Sequence, residues 1–221
     1  MSSSASGDAA RHMDGIYKYQ RYIYDATRKF YLLGRDRMLA DLRPVDGATI
    51  LEVGCGTGRN LILAARRYPN ARFIGFDISN AMLETARVSI EKAGLSDRIE
   101  VQQGDATSFD LAEMFGRANA ERVYISYTLS MIPPWRDVLP QALAAVAPGG
   151  RLHIVDFGQQ EGWPGLFKKV LFAWLRQFSV HPRAELESEL QELSKRSGAA
   201  LKFEKLYRGY AEYAVLTKPV E

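Results

Sequence analysis

Cysteine is almost absent. Cys55 is the single one in 221 residues, which excludes an internal disulfide and any zinc site built on thiolates. Only His12, His153 and His181 supply imidazoles, and neither they nor Met82 and Met131 show metal-ligand spacing, so no metal is expected. His153, inside an apolar run, reads as a packed core residue rather than a base. Long apolar runs are missing too. The longest, Val170-Leu171-Phe172-Ala173-Trp174-Leu175, falls far short of the ~20 residues that a bilayer crossing needs. Charge of one sign is also scarce: 29 basic and 26 acidic residues leave a formal net charge of +3, too mild for a nucleic-acid partner. No serine sits in a G-x-S-x-G elbow, so a Ser-His-Asp hydrolase is not readable. No secretory leader is legible, and a reducing, cytoplasmic setting is the expectation.

What is present is the composition of a soluble globular protein, 47% hydrophobic and 25% charged, long enough to bury a substantial core. Residues 1–13 are small and polar without periodicity and read as a disordered tail. The rest, 14–221, carries no repeat or linker and reads as one domain. Residues 14–42 read as helix, forming an N-terminal cap. They hold five of the eleven tyrosines, at positions 17, 19, 22, 24 and 31, a density that marks this segment for a role beyond covering a core.

From there the pattern alternates. Short β-branched runs at 49–53, 72–76, 99–102, 122–126 and 151–156 are separated by helical segments near 59–68, 79–93, 110–118 and 136–146. Strand–helix alternation implies a parallel sheet covered on both faces. Helices near 164–178 and 183–195 follow, and 201–206 with 210–216 are close enough to pair as a hairpin through Gly209. The fold class expected is α/β, a three-layer Rossmann-like sandwich whose seven-stranded, mostly parallel sheet ends antiparallel.

The turn after the first strand reads LEVGCGTGRN over 51–60. Glycine permits positive φ and close ligand approach, and the following helix start offers backbone N–H donors, so Gly54, Gly56 and Gly58 suit a nucleotide-like ligand; a glycine-rich structural turn is the plainer alternative. Asp77 ends the second strand 19 residues after Gly58, where a carboxylate can accept from both ribose hydroxyls. Alone it could equally cap the next helix, although Ser79 already suits that purpose. Asp105, in Gly104-Asp105-Ala106-Thr107, can accept from an exocyclic base amine or simply close a turn.

Together, E-x-G-x-G-x-G from Glu52, an Asp ending strand two and G-D-A after strand three resemble the class I S-adenosylmethionine-dependent methyltransferases over residues 49–156. A nicotinamide oxidoreductase would more naturally show G-x-G-x-x-G/A around a pyrophosphate. The resemblance implies S-adenosyl-L-methionine as cofactor. It places Gly54, Gly56 and Gly58 on the methionine and ribose portion, Asp77 on the ribose, and Asp105 with Ala106 on the adenine, while Glu52 orients the loop. It extends the cofactor set to Cys55, Thr57, Ile78, Met82, Thr107 and Ser126, lays Tyr24 over the cofactor and brings Arg35 to the methionine carboxylate.

The flanking motifs, Tyr17 to Asp25, Leu32 to Asp36, Tyr127 to Pro133, Val155 to Gly158 and Tyr207 to Tyr210, resemble bacterial betaine-lipid N-methyltransferases. That likeness implies three methyl transfers to the amine of diacylglyceryl-homoserine. Neighbouring amine substrates such as phosphatidylethanolamine, and a non-catalytic S-adenosylmethionine-binding protein, are the alternatives; a filled acceptor pocket would be the sign of the latter. A nitrogen that accumulates methyls becomes a fixed cation, which aromatic faces stabilise by ~0.5–2 kcal/mol each. Tyr17, Tyr24 and Tyr127 are the candidates for that cage, against the alternative that they fill core and surface. Arg21 and Arg208 are the candidate partners of a homoserine carboxylate, with Met131 beside the acceptor.

One further absence is informative: no acidic residue occurs from Trp163 to Arg183. As a helix this stretch gathers Leu166, Phe167, Val170, Leu171, Trp174, Leu175 and Phe178 on one broad face, with Lys168, Lys169, Arg176 and an exposed Phe172 opposite. The expectation is a lid region, 163–197, that either contacts anionic lipid, giving a peripheral position on the inner leaflet, or packs on the domain with a solvated basic side.

Overall fold

The computed structural model describes residues 32–220. Their elements, in chain order, are α1 (Arg35–Asp41), β1 (Thr49–Val53), α2 (Arg59–Arg67), β2 (Arg72–Asp77), α3 (Asn80–Lys92), β3 (Ile99–Gln103), α4 (Leu111–Phe115), β4 (Ala120–Ser126), a 3-10 turn (Leu129–Met131), α5 (Trp135–Ala144), β5 (Val146–Phe157), α6 (Gly165–Arg176), α7 (Leu186–Ser197), β6 (Ala200–Leu206) and β7 (Ala211–Thr217).

The seven strands form one sheet in the order β3-β2-β1-β4-β5-β7-β6. β1 to β5 run parallel, and β7 lies antiparallel to both β5 and β6. β1 is wholly buried because helices cover both its faces, which is why Thr49–Val53 tolerates no alternation of polar residues. Leu61, Leu83, Ala86 and Ile90 belong to one apolar layer; Val138, Leu139, Ala142, Leu186 and Leu190 belong to the other. The expected three-layer α/β sandwich with an antiparallel end is the fold observed.

The chain winds from β1 out to β3 on one side, then returns to place β4 on the other. The strand order therefore reverses between β1 and β4, and a crevice opens beyond their carboxyl ends, the standard ligand position in such sheets.

Local chemistry explains where the boundaries shift. Of the expected 14–42 helix, only residues 32–42 fall within the described region, and they are helical only from Arg35. Gly34, at φ 89, caps that helix, and a Cβ there would meet Leu206 Cδ1 at 3.0 Å. The helix expected at 110–118 stops at Phe115 because Gly116 turns left-handed. β5 begins at Val146 rather than 151, its early residues pairing Ala120 with Val146.

Candidate functional site

The glycine turn is built by backbone geometry. Gly54, Gly56 and Gly58 have φ of 72, 53 and 73, a region that side chains disfavour. A Cβ on Gly54 would come within 2.3 Å of Thr128 Cγ2, so the loop lies directly on the segment after β4. The amides of Gly54 and Cys55 both donate to Phe76 O at 2.9 Å. Asp77 ties the same turn to the next strand: Oδ2 accepts from Gly56 N at 2.8 Å and Oδ1 from Ser79 N at 3.0 Å. The helix α3 is capped by Ser79, not by Asp77.

Beneath the turn, buried Glu52 accepts from Tyr124 Oη at 3.0 Å and from Asn60 Nδ2 at 2.8 Å. Burial, reinforced by Glu52, pushes the Tyr124 phenol well above its usual range. Burial also raises the Cys55 thiol, with Asp77 and Glu52 adding to the effect, so Cys55 is a packing residue rather than a thiolate nucleophile. Asp105 closes a turn, accepting from Thr107 N at 2.9 Å and Thr107 Oγ1 at 2.7 Å.

These elements wall a cavity of about 610 Å³. Its lining draws Gly54, Gly56, Asp77, Ile78, Met82, Asp105, Ala106 and Thr107 from the segments at and after the ends of β1, β2 and β3, and Tyr127, Thr128, Met131, Ile132, Pro133, Pro134, Ser179, His181 and Arg183 from the segments after β4 and α6. A smaller cavity of about 30 Å³ shares Gly54 and Gly56 and adds Arg35, Glu52, Cys55, Thr57 and Ser126. Every cofactor residue expected within the described region therefore lines one of the two cavities, except Gly58, which caps α2. Tyr17, Arg21 and Tyr24 lie outside the described residues.

Tyr127 reaches the cavity from a left-handed position at φ 57. Its ring packs edge-on against Phe157 at 4.6 Å between centroids, and its hydroxyl donates to Leu33 O. Met131 lines the larger cavity. Arg208 does not line either cavity. It occupies the β6–β7 turn with its guanidinium 5.9 Å from the centre of the Trp163 ring, because Tyr207 and Arg208 form the left-handed hairpin tip.

Reading the sequence did not single out Ser179, His181 or Arg183 as site residues. Arg183 is fixed by donation to the carbonyls of Leu129 at 3.0 Å and Ile132 at 2.7 Å, and His181 N donates to Ser130 O at 2.8 Å. These bonds clamp the chain after α6 onto the 3-10 turn.

The residues suit S-adenosylmethionine. The volume lies in the range of small-ligand sites. The Gly54 cradle is one that a Cβ would fill, and Ser126 in the small cavity has a buried Oγ without a partner among the described residues. Arg35, 4% exposed, lines the same cavity, with its guanidinium on Asp36 Oδ1 at 2.9 Å.

Fold and site are similar to those of class I S-adenosylmethionine-dependent methyltransferases. The comparisons agree: a family model described as "Methyltransferase domain" matches residues 50–150. The chain is 31% identical over 137 residues to trans-aconitate 2-methyltransferase of Variovorax paradoxus, covering 62% of this chain and 47% of that protein. It is 28% identical over 159 residues to the ubiquinone/menaquinone biosynthesis C-methyltransferase UbiE of Cereibacter sphaeroides, covering 69% and 62%. The chain thus spans about half to three fifths of the length of these relatives. In fold it is similar to a chain of the complex between the Haloferax volcanii Trm112 methyltransferase activator and a methyltransferase, with TM-score 0.72 at 13% identity, over 95% of this chain and 98% of that one.

Proposed function

We propose that this protein transfers methyl groups from S-adenosylmethionine to the headgroup amine of diacylglyceryl-homoserine, three in succession, yielding the trimethylated betaine lipid. The observation that carries this reading is the contrast within one cavity lining between the glycine-and-carboxylate set from the β1–β3 ends, read as the cofactor side, and the more apolar set that follows β4 and α6, read as the acceptor side. The acceptor side offers the Tyr127 ring, Met131, Ile132, Pro133 and Pro134, with the Arg183 guanidinium and the His181 imidazole beside them. A zwitterionic amino-acid headgroup fits that contrast: its carboxylate toward Arg183 and His181, its amine toward the aromatic ring.

The bound cofactor supplies an electrophilic methyl on a sulfonium. What the chain supplies is position. Arg35, Glu52 and Asp77 hold and orient the cofactor side, and the apolar acceptor wall excludes water around a neutral amine, which is most of what such a displacement needs. Tyr127, the one candidate of the aromatic cage among the described residues, is the ring that would steady accumulating positive charge without itself reacting. Burial holds its phenol well above the usual range, so it stays neutral.

The similarity to UbiE favours a second reading, carbon methylation of an apolar ring. Phosphatidylethanolamine and other small amines are the nearest variants of the first. A non-catalytic cofactor-binding protein would be marked by a filled acceptor side; among the described residues a cavity of about 610 Å³ is left there. The test is incubation of the purified chain with S-adenosylmethionine and each lipid in mixed micelles, followed by mass spectrometry. Three successive gains of one methylene on diacylglyceryl-homoserine support the proposal. Methylation of another acceptor, or of none, overturns it.

A further inference from the structure

We infer that the outer face of α6, together with the β6–β7 turn, is a docking surface for an anionic lipid bilayer. The surface differs from the basic face with an exposed Phe172 that the sequence pattern suggests. Phe172 is half-buried against the core, with Lys168 Nζ 5.3 Å from its ring centre. Leu166, Phe167 and Val170 are instead 75%, 36% and 62% exposed. The broad apolar arc of this helix is split: Leu175 and Phe178 turn toward the domain while Leu166 and Val170 turn to solvent. Leu175 is the one buried residue of the twelve in α6.

Apolar residues left in water on a helix so lightly anchored call for a partner, and the surrounding charge says which. No acid lies between Trp163 and Arg183. Lys169 and Arg176, two helical turns apart, line one side of the Leu166–Val170–Ala173 ridge, and among the described residues neither is in an ion pair. The nearest acid before the stretch, Glu161, is paired with Lys205 at 2.8 Å.

The patch continues onto the neighbouring turn. Trp163 stacks on Phe167 at 4.6 Å, donates Nε1–H to Tyr207 O at 3.0 Å and lies 5.9 Å from the Arg208 guanidinium. Tyr207 is half exposed. Apolar ridge, interfacial Trp and Tyr and a rim of cations are the pattern of a helix lying in the headgroup layer. It also gives Arg208, absent from the cavity wall, a place on a phosphate-bearing surface.

The position is apt for a lipid acceptor. Leaving α6, the chain passes Phe178, which packs with Met131 on Met82, and then contributes Ser179, His181 and Arg183 to the cavity. A bilayer seated on α6 therefore sits at the segment that forms the acceptor rim. This inference deepens the lipid reading of the same site, and its test needs no methylation, so the two fail separately.

The experiment is cosedimentation of the full chain with vesicles of equal parts phosphatidylglycerol and phosphatidylcholine, and with phosphatidylcholine alone. Wild type is expected to bind the anionic vesicles and to release at about 0.5 M salt, where screening lengths fall well below ~10 Å. The pair Leu166→Ser with Val170→Ser, and separately Lys169→Glu with Arg176→Glu, should each weaken binding about ten-fold or more. Affinity for S-adenosylhomocysteine, read by calorimetry, should remain at the wild-type value and report intact folding. Absence of wild-type binding, or equal binding by wild type and both pairs, overturns the inference. So does a concentration-dependent dimer that the Leu166/Val170 pair abolishes while vesicle binding is nil, which would give the face to a second copy of the chain.

Discussion

The phenol of Tyr124 donates to Glu52 Oε2 across 3.0 Å, with both side chains buried under the glycine turn. The turn's floor thus depends on a carboxylate whose position is set from two elements, β4 through Tyr124 and α2 through Asn60. Tyr124→Phe removes one donor to a buried carboxylate and should cost about 1–3 kcal/mol of stability. Cofactor affinity should fall in parallel as Glu52 shifts. Denaturant unfolding and calorimetry check the two effects; wild-type values in both would show that Glu52 does not depend on this bond.

Asp77 does more than face a ribose. Because Oδ2 accepts from Gly56 N and Oδ1 from Ser79 N, Asp77→Ala should both remove ligand contacts and loosen the turn, weakening S-adenosylmethionine binding by ~2–4 kcal/mol. Asp77→Asn keeps one acceptor and should lose less. Calorimetry orders the three proteins, and equal affinity across them would take Asp77 out of the site.

Much of this was legible from the chain because its signals are local. Strand ends, glycine turns and the carboxylates beside them lie within a few residues of one another, so Gly54 to Gly58, Asp77 and Asp105 announce themselves without tertiary information. Ser179, His181 and Arg183 do not. They reach the cavity only because Arg183 and His181 bond to carbonyls of the 129–132 segment, some fifty residues away in sequence. The α6 arc shows the complementary limit: periodicity revealed which residues share a face, while the tilt of the helix against the core decided that Leu166 and Val170, rather than Phe172, meet solvent. Arg208 was misplaced for a similar reason, since a hairpin tip's direction is fixed by the positive φ of Tyr207 and Arg208.

Stability should vary with pH through two buried groups on the adjacent strands β5 and β7. Burial raises the Glu212 carboxyl to about 8, and burial lowers the His153 imidazole to about 3. The Tyr213 hydroxyl donates to Asp41 Oδ2 at 2.8 Å and lies 2.9 Å from His153 Nδ1. This assigns the neutral ring's proton to Nδ1. Between about 4.5 and 8 the unfolded chain has released the Glu212 proton while the fold keeps it, so this group's contribution falls as pH rises. Below about 6.5 the unfolded chain takes a proton that folded His153 refuses, so stability also falls toward acid. Glu212→Gln should flatten the alkaline limb, gaining on the order of 2 kcal/mol near pH 9 relative to wild type. Denaturant midpoints across the range decide it; parallel curves for the two proteins would show that Glu212 ionises in the fold as it does in the unfolded chain.

His181 separates the amine reading from carbon methylation. Asp77 and Asp105 spend oxygens on backbone amides, the Tyr127 phenol is held neutral, and Arg183 is bonded to carbonyls. Of the described residues on the cavity wall, His181 is the one imidazole, the side chain best suited to take a proton at neutral pH. A lipid amine that enters already neutral has no proton to lose before attack, so its rate should rise with pH as the free amine fraction grows. His181→Gln should then leave kcat within about two-fold of wild type, since no general base is removed. It should raise KM through the lost imidazole contact beside the headgroup carboxylate. An activated ring carbon or a phenol must shed its proton in the protein, and there the same change should lower kcat by about 10² or more. Steady-state kinetics of wild type and His181→Gln from pH 6 to 9 read the difference. A kcat collapse with unchanged KM on diacylglyceryl-homoserine would make His181 the proton acceptor and sink the base-free reading.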